Sequence, residues 1–136
     1  MKNTLLLIVF CSGILFFACS KNTSNTTDNI TGNYSLIGKW NLAETLQDPG
    51  DGSGRWQPAD ATKHYYIKFN AGNSAESNSY PGLEGLKKYI VVNDSIVTFI
   101  NTNNEEFTRY YKITNSSLTI TGGCIEACGA KFTRTF

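Results

Sequence analysis

From residue 36 onward the apolar residues of this chain fall at strand spacing. No stretch sustains a helical period, and short alternating or apolar runs are separated by Asn, Asp, Gly and Ser, the signature of strands joined by turns. In LIGKWNLAETL, Leu36, Trp40, Leu42 and Leu46 share one face and Lys39, Asn41 and Thr45 the other. In TKHYYIKF, Tyr65, Ile67 and Phe69 share a face. LKKYIVV and SIVTFIN follow, joined at Asn93-Asp94, a tight-turn pair. EEFTRYYKIT, SLTIT and AKFTRTF complete the series, the last with Phe132, Arg134 and Phe136 on one face. The pattern predicts seven strands, and an eighth if the polar stretch NAGNSAESNSYPGLEG conceals one. The connections are short, so neighbours in sequence are expected to be neighbours in the sheet. A long antiparallel meander loses its edges by closing on itself. The expected fold is therefore all-β, a small antiparallel up-and-down barrel of seven to eight strands, with a β-sandwich as the alternative.

A different pattern precedes the strands. Lys2 is followed by an apolar run from Leu5 to Ala18. These are the charged and hydrophobic regions of a secretory signal, and the run is shorter than the ~20 residues of a membrane-spanning helix. It ends at Phe16-Phe17-Ala18-Cys19. A small residue before a cysteine at that point resembles the bacterial lipobox, with Phe16 standing where leucine is usual. The resemblance implies cleavage before Cys19 and a diacylglycerol on its thiol; an ordinary signal peptide with an incidental cysteine is the alternative. The next segment, SKNTSNTTDNITGN, is polar, small and nearly uncharged, a composition that stays disordered and reads as a tether. The expected organisation is a lipoprotein signal peptide at 1–18, a disordered tether at 19–34 after lipidated Cys19, and one barrel domain at 35–136, a common single-domain size. The expected location is the bacterial cell envelope, with a lipid anchor at the outer membrane.

Charge narrows the partners. The chain carries 12 basic and 11 acidic residues, and without Lys2 the two balance. No long basic stripe is present, so nucleic-acid binding has no electrostatic support. Of four cysteines, Cys11 falls in the signal and Cys19 in the lipobox, which leaves Cys124 and Cys128 in GGCIEACGAKF. In an exported chain this pair is expected to form a disulfide, with the glycines at 122, 123 and 129 letting the loop curl to bond geometry. Zinc is the rival. It takes four ligands, or three and water, and the chain offers a single histidine, His64. His64 falls on the polar face of its strand and is expected to be exposed.

Gly38-Lys39-Trp40 resembles the G-x-W at the start of the first strand of lipocalins. In that family the tryptophan closes one end of the barrel and packs against an arginine on the last strand. The resemblance implies Gly38, Trp40 and Arg134 as the barrel-closing set, and stacking over an indole gives an inward arginine its reason. Over residues 36–136 the chain is also similar to lipocalin-like lipoproteins of Bacteroidetes-type bacteria, through its IGKW start, DPGDGSGRWQP and CIEACGAKFTR. That similarity implies a fold and no ligand. The domain is much shorter than an ordinary lipocalin, which argues against a roomy calyx.

The stretch DPGDGSGRW, residues 48–56, invites three readings. Asp48 and Asp51 are too few for calcium, which takes six to eight oxygens, and Ala59 stands where an EF-hand would place its glutamate. A phosphate loop needs G-x-x-x-x-G-K-[ST] ahead of a helix, which is not the pattern here. Consecutive turns, with glycines at positive φ, are what remain. The first connection of a lipocalin is the long one that covers the cavity, so the resemblance implies that residues 47–61 form a lid at the open end. Trp56 then either packs back on the barrel or touches a ligand.

Arg109 shares a face with Phe107, Tyr111 and Ile113. A regular strand points it inward, toward a ligand carboxylate or phosphate; a β-bulge would turn it out. No G-x-S-x-G is present, and no cofactor signature is found. Two functions stay open: an envelope-anchored, non-enzymatic barrel that binds a small apolar or amphipathic ligand, with Trp56 and Arg109 as candidate contacts, or a structural or interaction lipoprotein with a solidly packed barrel. The size of the interior side chains separates them.

Overall fold

A computed structural model describes residues 35–114 and 116–135. The signal, lipobox and tether readings at residues 1–34, Cys19 included, lie outside the described residues, as does Phe136. The strands are β1 (Gly38–Gln47), β2 (Arg55–Pro58), β3 (Tyr66–Phe69), β4 (Ala75–Ser77), β5 (Leu86–Asn93), β6 (Ile96–Asn101), β7 (Glu106–Thr114), β8 (Ser117–Thr121) and β9 (Cys128–Thr135). All belong to one sheet, in the order β4-β3-β1-β9-β8-β7-β6-β5 with β2 also on β1, and every pairing is antiparallel. The fold is an all-β antiparallel barrel, not a sandwich.

β2 and β3 share one edge of β1. β2 pairs its second half, from Glu44↔Pro58 to Gln47↔Arg55, and β3 its first, from Gly38↔Phe69 to Asn41↔Tyr66. The two act as one broken stave, so the barrel has eight staves. An even number lets the first and last strands of an up-and-down meander meet antiparallel, as β1 and β9 do. The last joint, between β4 and β5, is slight: a Ser74↔Lys88 bridge and a 2.9 Å bond from the Tyr89 N–H to the Asn73 carbonyl. The barrel is nearly closed.

Two strands escape the hydrophobic pattern. β4 lies in the polar stretch suspected of hiding one, and β2 occupies residues expected to form the lid. A third difference concerns the predicted face of β1. The pairing of β1 with β9 shifts between Leu42 and Glu44, with Leu42↔Phe132 followed by Glu44↔Lys131 and Leu46↔Gly129. The extra residue, Ala43, reverses the faces beyond it. Thr45 consequently pairs with buried Ala130 and faces inward, and Leu46 turns outward.

Large side chains fill the lower barrel. Trp40, Phe69, Phe99, Phe132, Ile67, Leu118 and Val97 are all fully buried. The aromatic rings meet edge-on or tilted, Phe69 with Tyr89 at 4.9 Å and with Phe99 at 6.1 Å, the offset geometries that ring quadrupoles favour. Because the strands alternate in direction, the connections at 48–54, 78–85, 102–105 and 122–127 gather at the end opposite Trp40.

Candidate functional site

The barrel has a sealed end and an open end. At the sealed end the Arg134 guanidinium lies 4.3 Å from the centre of the Trp40 ring. It also donates to the Ile37 carbonyl at 3.0 Å and to that of Ser35, while the Trp40 Nε1–H donates to the Leu36 carbonyl at 2.8 Å. Residues 35–37 are thereby held across the end of the barrel. Gly38, at φ 136°, lies so close that a Cβ there would stand 3.3 Å from Arg134 Nη1. The structure brings Gly38, Trp40 and Arg134 into one contact.

At the open end lies a cleft of about 700 Å³. Its apolar surface comes from Leu42, Tyr65, Tyr80, Leu83, Ile120 and Ala130. Tyr80 and Leu83 belong to the 78–85 connection and fold down into the barrel. The Tyr80 ring packs edge-on against Tyr65 at 5.5 Å and against Phe132 at 6.0 Å, which floors the cleft with aromatic side chains. Burial, seconded by Tyr65, raises the Tyr80 hydroxyl above its ordinary pKa, so it stays protonated through neutral pH. Sequence reasoning missed Tyr80 and Leu83 because they sit in an otherwise polar stretch; the aromatic ahead of Pro81-Gly82 was the available signal.

The opposite wall is the connection from β8 to β9. A disulfide joins Cys124 and Cys128, whose Cα atoms are 6.1 Å apart. Both cysteines border the cleft, along with Gly122, Gly123 and Ala127.

Arg109 reaches the same cleft. Its pairing with Val97 sits in an unbroken register, so the bulge that would have turned it outward does not occur. Its guanidinium lies 4.8 Å from the centre of the Phe107 ring, and Nη1 donates to the Thr108 carbonyl at 3.0 Å. The Gly123 backbone, at φ 93°, presses on it: a Cβ there would fall 2.4 Å from Arg109 Cζ. Burial lowers the Arg109 pKa from its ordinary value, with the group still a cation at neutral pH. Among the described residues the ion pairs are Lys68–Glu76 at 3.4 Å and Lys131–Glu44 at 2.7 Å, both elsewhere.

DPGDGSGRW does not cover the cleft; of residues 48–56 only Asp48 borders it. The Asp48 carboxylate is the hub of the turn. Oδ1 accepts the amides of Gly50 at 2.8 Å and Gly52 at 3.1 Å, and Oδ2 that of Gly54 at 3.1 Å. The Gly50 amide foremost, with Gly54 and Gly52, holds this carboxyl below the ordinary carboxylate range against the opposing effect of burial. Asp51 turns likewise onto the Ser53 amide at 2.9 Å. Trp56 lies outside the cleft. It pairs with the outward Leu46, packs on Gly129, and lies under Lys131 Nζ, 4.7 Å from its ring. Its placement follows from the bulge at Ala43, which turns this part of β1 around, so Trp56 packs on the outside rather than contacting anything in the cleft. His64 is exposed. Among the described residues, no group of three or more His, Cys, Asp or Glu side chains is placed to hold a metal ion, and no helix is long and apolar enough to cross a membrane.

In comparisons with known proteins, no family model, curated protein or solved structure matches this chain.

Proposed function

We propose that this chain is an envelope-anchored, lipocalin-like lipoprotein whose barrel holds a small apolar or amphipathic molecule at its open end, without catalysing a reaction on it. The observation that carries the proposal is the cleft itself: about 700 Å³ bounded by Leu83, Tyr80 and Ile120 above a solid aromatic core. Small-molecule sites are of this kind, concave, largely apolar and roughly 300–1,000 Å³. Anchoring rests on the apolar run that ends at Ala18-Cys19. The packed lower barrel does not compete with binding; it makes a rigid base for a shallow site.

The test is titration with a neutral apolar fluorophore, N-phenyl-1-naphthylamine. Saturable binding to one site is expected. Thr45→Trp, which fills the cleft from β1, should abolish it while the melting temperature holds. If the unaltered chain gives no saturable signal, the interaction-protein reading takes over. That reading draws on the outer face, where Ile90, Val92 and Tyr110 are 48%, 58% and 62% exposed.

A further inference from the structure

Resting on that reading, the structure assigns the cleft a more specific occupant: a single-tailed amphiphile with an acidic head, bound through Arg109. The cleft is amphipathic in one direction. Its floor and one wall are Tyr80, Leu83, Ile120 and Ala130, and Arg109 stands at its rim on β7. The guanidinium is fixed between the Phe107 ring and the Gly123 backbone, so little conformational entropy remains to be lost when it binds. One of its N–H groups is spent on the Thr108 carbonyl; a guanidinium has five.

The acids around the same cleft do not answer this charge. Asp48 is occupied by three backbone amides. Asp60 accepts from the Thr62 amide at 2.9 Å and the Thr62 hydroxyl at 2.7 Å. Glu126 borders the cleft but is exposed and lies beside Gly50. None of them forms an ion pair with Arg109 among the described residues. A half-buried arginine facing an apolar cleft without an internal counterion fits a ligand that brings one, and its planar fork suits a carboxylate best. The other cation on this cleft, Lys63, is exposed and sits close enough to Asp60 to act on its charge.

Two probes with one tail and different heads test the inference: dodecanoate and dodecanol. They are titrated by calorimetry into the whole chain carrying Cys19→Ser, so that no attached acyl group competes. Dodecanoate should bind roughly ten- to a hundredfold more tightly than dodecanol, the scale of a charge-assisted hydrogen bond. Arg109→Gln should bring dodecanoate down to the level of dodecanol and leave dodecanol unchanged, which also shows that the cleft is intact. Arg109→Lys should recover only part of the preference, and Lys63→Gln should leave it in place. Equal binding of the two heads would overturn the acidic-head assignment while sparing the binding function. So would a preference that survives Arg109→Gln or follows Lys63. Failure of both probes to bind would instead remove the binding function on which the assignment rests.

Discussion

Trp40 and Arg134 hold the sealed end through one contact, but they contribute to it differently. Trp40 is fully buried, so Trp40→Ala should cost roughly 3–5 kcal/mol as a large-to-small core change. Arg134 stacks on the indole and ties down Ser35 and Ile37. Arg134→Ala should therefore cost less than Trp40→Ala, and Arg134→Lys should not restore it fully, because an ammonium has no planar face to stack. Denaturant melts of the three variants check the ranking. Asp48 gives a pH prediction. Its folded carboxyl titrates below its ordinary value, so its contribution is present above the unfolded carboxylate pKa and is lost as pH falls through the depressed folded value. Protection of the Gly50 and Gly54 amides, taken as their exchange rate against that of an unstructured peptide at the same pH, should fall on acidification over that range. Asp48→Ala should show the same loss of protection already at neutral pH. At this scale alternation made much of the molecule legible: Arg109 faces inward as its spacing with Phe107 and Tyr111 implied. Leu46 and Trp56 were not legible, because one bulged residue exchanges the faces of β1 and nothing in the composition around Ala43 announces it.

At the scale of elements, strands with several apolar positions could be read, the four-residue β3 included, and strands with a single one could not. β5, β6 and β7 have enough residues to display their period. β2 and β4, with four and three residues, carry too few apolar positions to show one, and their pairing, β2 to β1 and β4 to β3, is what makes them strands. The β8–β9 connection is the element most open to perturbation. Reducing Cys124–Cys128 should destabilise the fold by no more than about 3 kcal/mol, since the closed loop is short. It should also weaken probe binding, because that loop is a wall of the cleft. Titrations with and without reductant measure both, and unreduced digests should contain the linked peptide. The β4–β5 joint makes a third expectation. With a single bridge between those strands, its amides should exchange before those of the β1–β9 ladder.

For the molecule as a whole, charge and cysteine arithmetic limited the function more than the fold did. A chain with 12 basic and 11 acidic residues and no long basic stripe carries no electrostatic cue to a polymeric partner, and the cleft's position could not be read because the 78–85 connection that floors it comes from polar sequence. Under the proposed anchoring, intact-mass analysis of membrane-extracted protein should give a chain that begins at Cys19 and carries acyl mass; a soluble product cut elsewhere would refute it. The chain enters the barrel at its sealed end, where Arg134 grips residues 35–37, and the cleft opens at the other. Under the proposed anchoring the barrel would be held by its base, with its brim at the far end from the attached lipid. Its cargo would arrive from the aqueous side, or from another carrier facing it, and the anchoring bilayer would be the place to which it has least access.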